Sequence, residues 1–283
     1  MTGTLLSLGH GYTAQALAAL LIPAGWRVIG TTRDPARAAA FRAAGVEPLV
    51  LPADLAPALA GASHILASAA PGPAGDPFLA AHGAAMAAAR PRWAGYLSTT
   101  GVYGDHGGGW IDEDAPLAPG TERGRARVAA EAQWQATGLP LHIFRLAGIY
   151  GPGRGPFEKL RDGTARRIVK PGQVFSRIHV DDIARALAAS MAAPMPGSIW
   201  NLCDDEPAPP EDVLTHAACL LGLPPPPAVP YAEAEATMTP MARGFYAESK
   251  RVRNDRIKRD LGLRLLYPTY REGLAAVLAA ETG

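Results

Sequence analysis

Between Leu5 and Leu21 the chain runs from an apolar stretch, Leu5-Leu6-Ser7-Leu8, through Gly9-His10-Gly11-Tyr12-Thr13-Ala14 and into the helical run from Gln15 to Leu21. A strand that breaks at G-x-G-x-x-A and restarts as a helix has few folding solutions. Gly9 permits a tight turn, Gly11 lets a pyrophosphate approach the backbone, and Ala14 is small enough for close packing of helix on strand. The backbone of Gly9, Gly11, Tyr12 and Thr13 is therefore expected to face the phosphates of a dinucleotide at the positive end of a helix. Apolar strands and helical runs continue to alternate along the chain. That alternation predicts an α/β fold, a Rossmann-type doubly wound parallel sheet with nucleotide at the carboxyl ends of its strands.

The tip of the second strand, which starts near Trp26, selects between cofactors. An acid there suits the ribose 2'-hydroxyl of NAD, whereas an arginine suits the 2'-phosphate of NADP. Here Thr31, Thr32 and Arg33 occupy the tip. Asp34 precedes Pro35 and reads as the N-cap of the next helix. NADP is expected, and NAD less so.

Further segments carry a resemblance. Pro48 to Leu55 is a short apolar strand ending in Asp54-Leu55, and Ser63 to Ala70 is another. Tyr96-Leu97-Ser98-Thr99-Thr100-Gly101-Val102-Tyr103-Gly104 is followed by Arg145-Leu146-Ala147-Gly148-Ile149-Tyr150-Gly151-Pro152, by Arg177-Ile178-His179-Val180-Asp181-Asp182, and by Tyr267-Pro268-Thr269-Tyr270-Arg271-Glu272-Gly273. Taken together over nearly the whole chain, these segments resemble the extended short-chain dehydrogenase/reductases of the NAD-dependent epimerase/dehydratase kind. The resemblance implies a Rossmann domain over 1–150, rejoined by 177–205, and a small C-terminal substrate lobe from 151–176 and 206–283. It also implies that Asp54 meets the adenine amino group and the Leu55 backbone the ring, with Asp54 as a plain helix cap as the alternative. The backbone of Ala69 and Ala70 is expected against the cofactor, and Thr99 at the reacting oxygen.

One departure from the family pattern dominates the chemistry. Where relatives carry something like Tyr-Gly-x-Ser-Lys-x-x-x-Glu, this chain has Arg123-Gly124-Arg125-Ala126-Arg127-Val128-Ala129-Ala130-Glu131. Arg123 takes the place of the tyrosine that exchanges a proton with substrate, and Arg127 that of the lysine that grips the nicotinamide ribose. A guanidinium keeps its protons at neutral pH and cannot act as general base. Arg127 is still able to hold a ribose hydroxyl, and Arg123 to clamp a substrate carboxylate or phosphate bidentately. Tyr103, His106, Glu122 and His179 are the candidates for a relocated proton donor. Two functional classes stay open, an NADP-dependent oxidoreductase or epimerase and a non-catalytic NADP(H) sensor that binds a partner.

Composition narrows the partners. A net charge of +1 over 283 residues gives no general attraction to nucleic acid or to an anionic membrane. No apolar run reaches the roughly 18 residues of a membrane span, and no charged leader with a cleavage site opens the chain, so a cytoplasmic location is expected. A small-molecule substrate or effector is the expected partner, and the chain is a monomer or a homodimer. Arg154, Lys159, Arg161, Arg166, Arg167 and Lys170 suit an anionic or nucleotide-linked substrate if they face the cleft, and otherwise form a solvated basic face. His179-x-Asp181-Asp182 reads as an acid-capped helix start, not a metal site. Asp112, Glu113 and Asp114 are expected in solvent on a glycine-rich, mobile loop, Cys203 and Cys219 in the core, and Pro224 to Pro227 as a stiff connector.

Overall fold

The computed structural model describes residues 2–72 and 75–282. Seven parallel strands form its centre: β1 (Thr4–Leu8), β2 (Arg27–Thr32), β3 (Glu47–Val50), β4 (His64–Ala67), β5 (Trp93–Thr99), β6 (Leu141–Leu146) and β7 (Ile199–Leu202). Their order across the sheet is β7-β6-β5-β4-β1-β2-β3. The chain thus winds outward from β1 to β3, crosses back to β4 and winds outward again, which puts the reversal point between β1 and β4. Helices cover both faces, so strand residues on both sides are apolar and buried. The helix α1 (Tyr12–Leu21) and the helix Val180–Ala192 share one layer with Trp93, Phe144 and Trp200. On the other face α3 (Ala56–Gly61), α4 (Pro77–Ala89) and α5 (Glu122–Gln135) close over Tyr96 and Trp134; α2 (Arg37–Ala43) adds Phe41 to the first layer.

A chain of buried polar groups ties the carboxyl ends of β5, β6 and β7 together. Glu131 of α5 accepts from the Ser98 hydroxyl and pairs with Arg145, Nη2 to Oε2 at 2.7 Å, with both side chains under 5% exposed. Arg145 Nη1 donates to the Tyr103 hydroxyl at 2.9 Å, and that hydroxyl donates to Asn201 Oδ1 at 2.7 Å. The Asn201 N–H in turn donates to Glu113 Oε1 at 2.8 Å. Glu113 therefore corrects the sequence expectation: Asp112 and Asp114 are exposed, but Glu113 is buried, and burial raises its carboxyl above the usual range. The glycine-rich loop beside it is pinned, since His106 and Gly108 both donate backbone N–H to the Ser249 carbonyl and Trp110–Ile111 pairs with Arg251–Val252.

The smaller lobe grows from the end of the sheet. Gly148–Tyr150 pairs with Arg177–His179, and Arg167–Val169 with Ala228–Pro230. Helices Pro210–Leu220 and Tyr270–Thr282 pack with Tyr150 and Phe157 into a separate apolar cluster. The helix after His179 is capped differently from the expectation. The His179 imidazole itself accepts from the Asp181 N–H, while the buried Asp182 carboxylate accepts from the N–H groups of Leu266 and Tyr267 and holds the C-terminal segment in place. Cys203 is buried as expected, but Cys219 is exposed, because the apolar face of its helix is carried by Val213 and Ala217. No helix among the described residues is long and apolar enough to cross a membrane.

Two expectations test this packing. Replacing Arg145 with Met leaves Glu131 buried and unpaired, so the loss should be about 3 to 5 kcal/mol in urea unfolding, against about 1 to 3 kcal/mol for Tyr103→Phe. Equal, small losses would show that the network is dispensable. Burial also lowers the pKa of His10 to about 4. Its unfolded value is near 6.5, so its contribution is whole above about pH 6.5 and is lost as pH falls toward 4. The cost of His10→Gln should accordingly shrink between pH 7 and 4.5, and parallel stability curves would contradict this.

Candidate functional site

The glycine-rich turn stands at the carboxyl end of β1, where α1 begins. Gly9 has φ +81°, and a Cβ there would lie 2.9 Å from the Ala69 nitrogen, so both conformation and space demand glycine. Gly11 differs: a Cβ on it would meet only the Gly9 carbonyl, at 3.8 Å, and otherwise faces open space. The N-cap of α1 is Gly11, with no side chain bonded over the helix end, and the N–H groups of Tyr12, Thr13 and Ala14 have no acceptor among the described residues. An open backbone at Gly11 under an uncapped helix start is a fit for a pyrophosphate. Burial keeps His10 neutral beside it.

The turn is braced by hydroxyl groups to which the sequence assigned no such role. Gly9 N–H donates to Thr31 Oγ1 at 2.7 Å, and that hydroxyl donates to the Ser7 carbonyl. Ser68 Oγ donates to the Gly9 carbonyl, which sets Ala69 against the turn. Hydroxyl side chains in strands have no periodic signature, so only the fold reveals them. Arg37 was also missed; its Nη2 donates to the His10 carbonyl at 3.2 Å, adding a cation beside the turn.

At the tip of β2, Thr32 is buried with its hydroxyl bonded to Asp34 N–H, whereas Arg33 is exposed and has no protein partner. Asp34 turns away: its carboxylate accepts from Ala36 N–H at 3.0 Å, and the helix itself starts only at Arg37. Asp54 is exposed and its carboxylate accepts from Ala56 N–H at 2.9 Å in a local turn, one residue before the N-cap of α3, the fully buried Leu55. Ala69 is half-buried and Ala70 exposed, just beyond β4.

The chemistry end is built on β5 and α5. Thr99 is half-buried at the last position of β5, and its Oγ1 accepts from Gly101 N–H, leaving its proton free to donate. Arg123 lies in the first turn of α5, exposed and without a protein partner, one turn before Arg127 on the same side of the helix. Arg127 is buried. Its Nη1 donates to the Leu97 carbonyl at 2.7 Å and the Tyr96 hydroxyl at 3.0 Å, with the Ala69 carbonyl at 3.5 Å, so the guanidinium braces β5 to the loop after β4.

The candidate proton donors scatter. Tyr103 is fully buried with its hydroxyl engaged by Asn201 and Arg145, and burial pushes its pKa up to about 12. It belongs to the framework and not to the cleft, which corrects the sequence expectation. His179 is buried between Tyr150 and Tyr267, and burial lowers its pKa. Glu122 is exposed at the start of α5. His106 is half-buried, with Nε2 at 3.3 Å from the Tyr103 carbonyl. Tyr12 donates its phenol to the Pro152 carbonyl at 2.9 Å, linking the first turn of α1 to the smaller lobe. No group of three or more His, Cys, Asp or Glu side chains among the described residues is arranged to hold a metal.

Comparison with known proteins agrees with this layout. Residues 84–203 match the model of the NAD dependent epimerase/dehydratase family. The chain is 34% identical over 241 residues to protein YeeZ of Escherichia coli strain K12, covering 77% of this chain and 84% of that protein. It is 32% identical over 184 residues to a 3-diazoavenalumate denitrifying reductase of a Streptomyces species, a match spanning 58% of each. A solved structure of a functionally unknown conserved protein from Silicibacter pomeroyi superposes with a TM-score of 0.95 at 62% identity, covering 98% of this chain and 99% of that one. The family model and the extent of the match to the Escherichia coli protein have one meaning: the chain belongs to the NAD dependent epimerase/dehydratase family.

Proposed function

We propose that the protein is an NADP-dependent oxidoreductase acting on an anionic small molecule, with an arginine where relatives use a tyrosine. The observation that carries this reading is the pairing of an open phosphate cradle with two unengaged arginines, Arg33 at the tip of β2 and Arg123 at the start of α5. In this reading the N–H groups of Tyr12 and Thr13 hold the pyrophosphate, Arg33 the 2'-phosphate, and Asp54, Leu55, Ala69 and Ala70 border the adenine and nicotinamide sides. Arg127 keeps the loop after β4 at the cofactor's edge. The dinucleotide supplies hydride exchange. Thr99 donates a hydrogen bond to the substrate, and Arg123 binds its carboxylate or phosphate.

With arginine rather than tyrosine at position 123, the reading favours acceptors whose reduction does not depend on a tyrosine proton. His106 is the side chain left on the cleft loop to exchange a proton where one is needed. The Streptomyces relative, a reductase by name, supports redox chemistry over epimerisation.

Arg33→Ala should weaken NADPH binding by about 1 to 3 kcal/mol and NADH binding hardly at all, as for one charge-assisted phosphate contact. Fluorescence titration of both cofactors measures it; equal losses would end the 2'-phosphate assignment. NADPH oxidation followed across carboxylate-bearing aldehydes, ketones and diazo compounds should give at least one turnover substrate. For that substrate Arg123→Ala should raise KM at least tenfold and leave NADPH affinity unchanged. A chain that binds NADPH but oxidises it with no member of the panel would favour the sensor reading instead.

A further inference from the structure

A cavity of about 260 Å³ opens in the smaller lobe, walled by Tyr150, Tyr270, Val213 and Leu214 and reached by Arg177 and Arg166. None of its lining residues belongs to the glycine-rich turn, to Thr99–Tyr103 or to the first turn of α5. Its walls are mainly aromatic and aliphatic, yet a guanidinium lies against them.

Arg177 is only half satisfied there. Its Nη1 donates to the carbonyls of Phe175 and Ala208, each at 3.0 Å. Those carbonyls already accept from each other's N–H groups, so the arginine is not needed to satisfy them. Nε and Nη2 have no protein acceptor, and among the described residues no carboxylate forms an ion pair with Arg177. The groups around it are Asp204, Glu211 and the phenols of Tyr150, Tyr246 and Tyr270. Burial lifts the Asp204 carboxyl to about 8, leaving it mostly uncharged at neutral pH, and burial raises Glu211 as well. A half-buried guanidinium at the wall of an apolar cavity, with Nε and Nη2 unbonded and no carboxylate in ion-pair contact among the described residues, is placed to take its counter-charge from a ligand.

We propose that this cavity binds a small carboxylic acid, with one aromatic ring or a branched aliphatic chain against the tyrosines and Leu214 and its carboxylate on the free N–H groups of Arg177. The volume lies just under the roughly 300 Å³ where pockets for drug-sized ligands begin, so a single ring fits and a dinucleotide does not. A planar carboxylate matches the arginine fork, and the site is separate from the one assigned to NADP.

Calorimetric titration of the full chain, without dinucleotide, tests this with benzoate and its neutral counterpart benzamide as probes. Benzoate should bind at least tenfold tighter than benzamide. Arg177→Met should erase that difference. Leu214→Trp, which fills the cavity and keeps the arginine, should weaken benzoate at least tenfold and leave NADPH affinity at the wild-type value. Equal binding of the two probes, no binding of either, or benzoate affinity unchanged by Leu214→Trp would overturn the proposal. NADPH binding is read separately, so its failure would count against the cofactor assignment and not against this site.

Discussion

The Glu131–Arg145 pair, with Tyr103 and Asn201 beyond it, is the interaction on which the rest of this structure depends. It fixes α5 to the ends of β5, β6 and β7, and those ends carry Thr99, the Gly148–Tyr150 exit to the smaller lobe and the return of β7. Charges this deeply buried are costly alone, and here each oxygen and nitrogen is matched to a partner with defined geometry. The network specifies where α5 begins, and so where Arg123 can reach.

The same helix carries Arg123 and Arg127, whose surroundings differ. Glu131 is a framework residue, held by Ser98 and Arg145. Arg127 belongs to the framework as well: its Nη1 bonds to Leu97, Tyr96 and Ala69 hold the end of β5 and the loop after β4. Arg123, by contrast, is exposed and has no partner among the described residues. A cation that is exposed, unpaired and held at the head of a fixed helix is suited to bind an anion and unsuited to exchange a proton.

The sequence disclosed the parts of this arrangement that rest on backbone geometry. Gly9, Gly11 and Ala14 implied the turn because conformation and clearance leave few alternatives, and the alternating apolar runs implied a parallel sheet covered on both faces. Side-chain direction was less legible. Tyr103 read as a possible acid because its place near Thr99 is visible in the chain, but its burial against Arg145 depends on a strand more than forty residues away. Glu113 looked like one of three solvated acids until the Asn201 N–H claimed it. The bracing roles of Thr31 and Ser68 stayed hidden for the same reason, since a single hydroxyl bonded to a turn leaves no periodic trace.

The most direct test is a crystal structure of the protein with NADPH. The account predicts the pyrophosphate on the N–H groups of Tyr12 and Thr13, the 2'-phosphate against Arg33, and Arg123 facing the space beside the nicotinamide, with Tyr103 still inside its network. A 2'-phosphate in solvent away from Arg33, or a Tyr103 hydroxyl swung out to the nicotinamide, would contradict it.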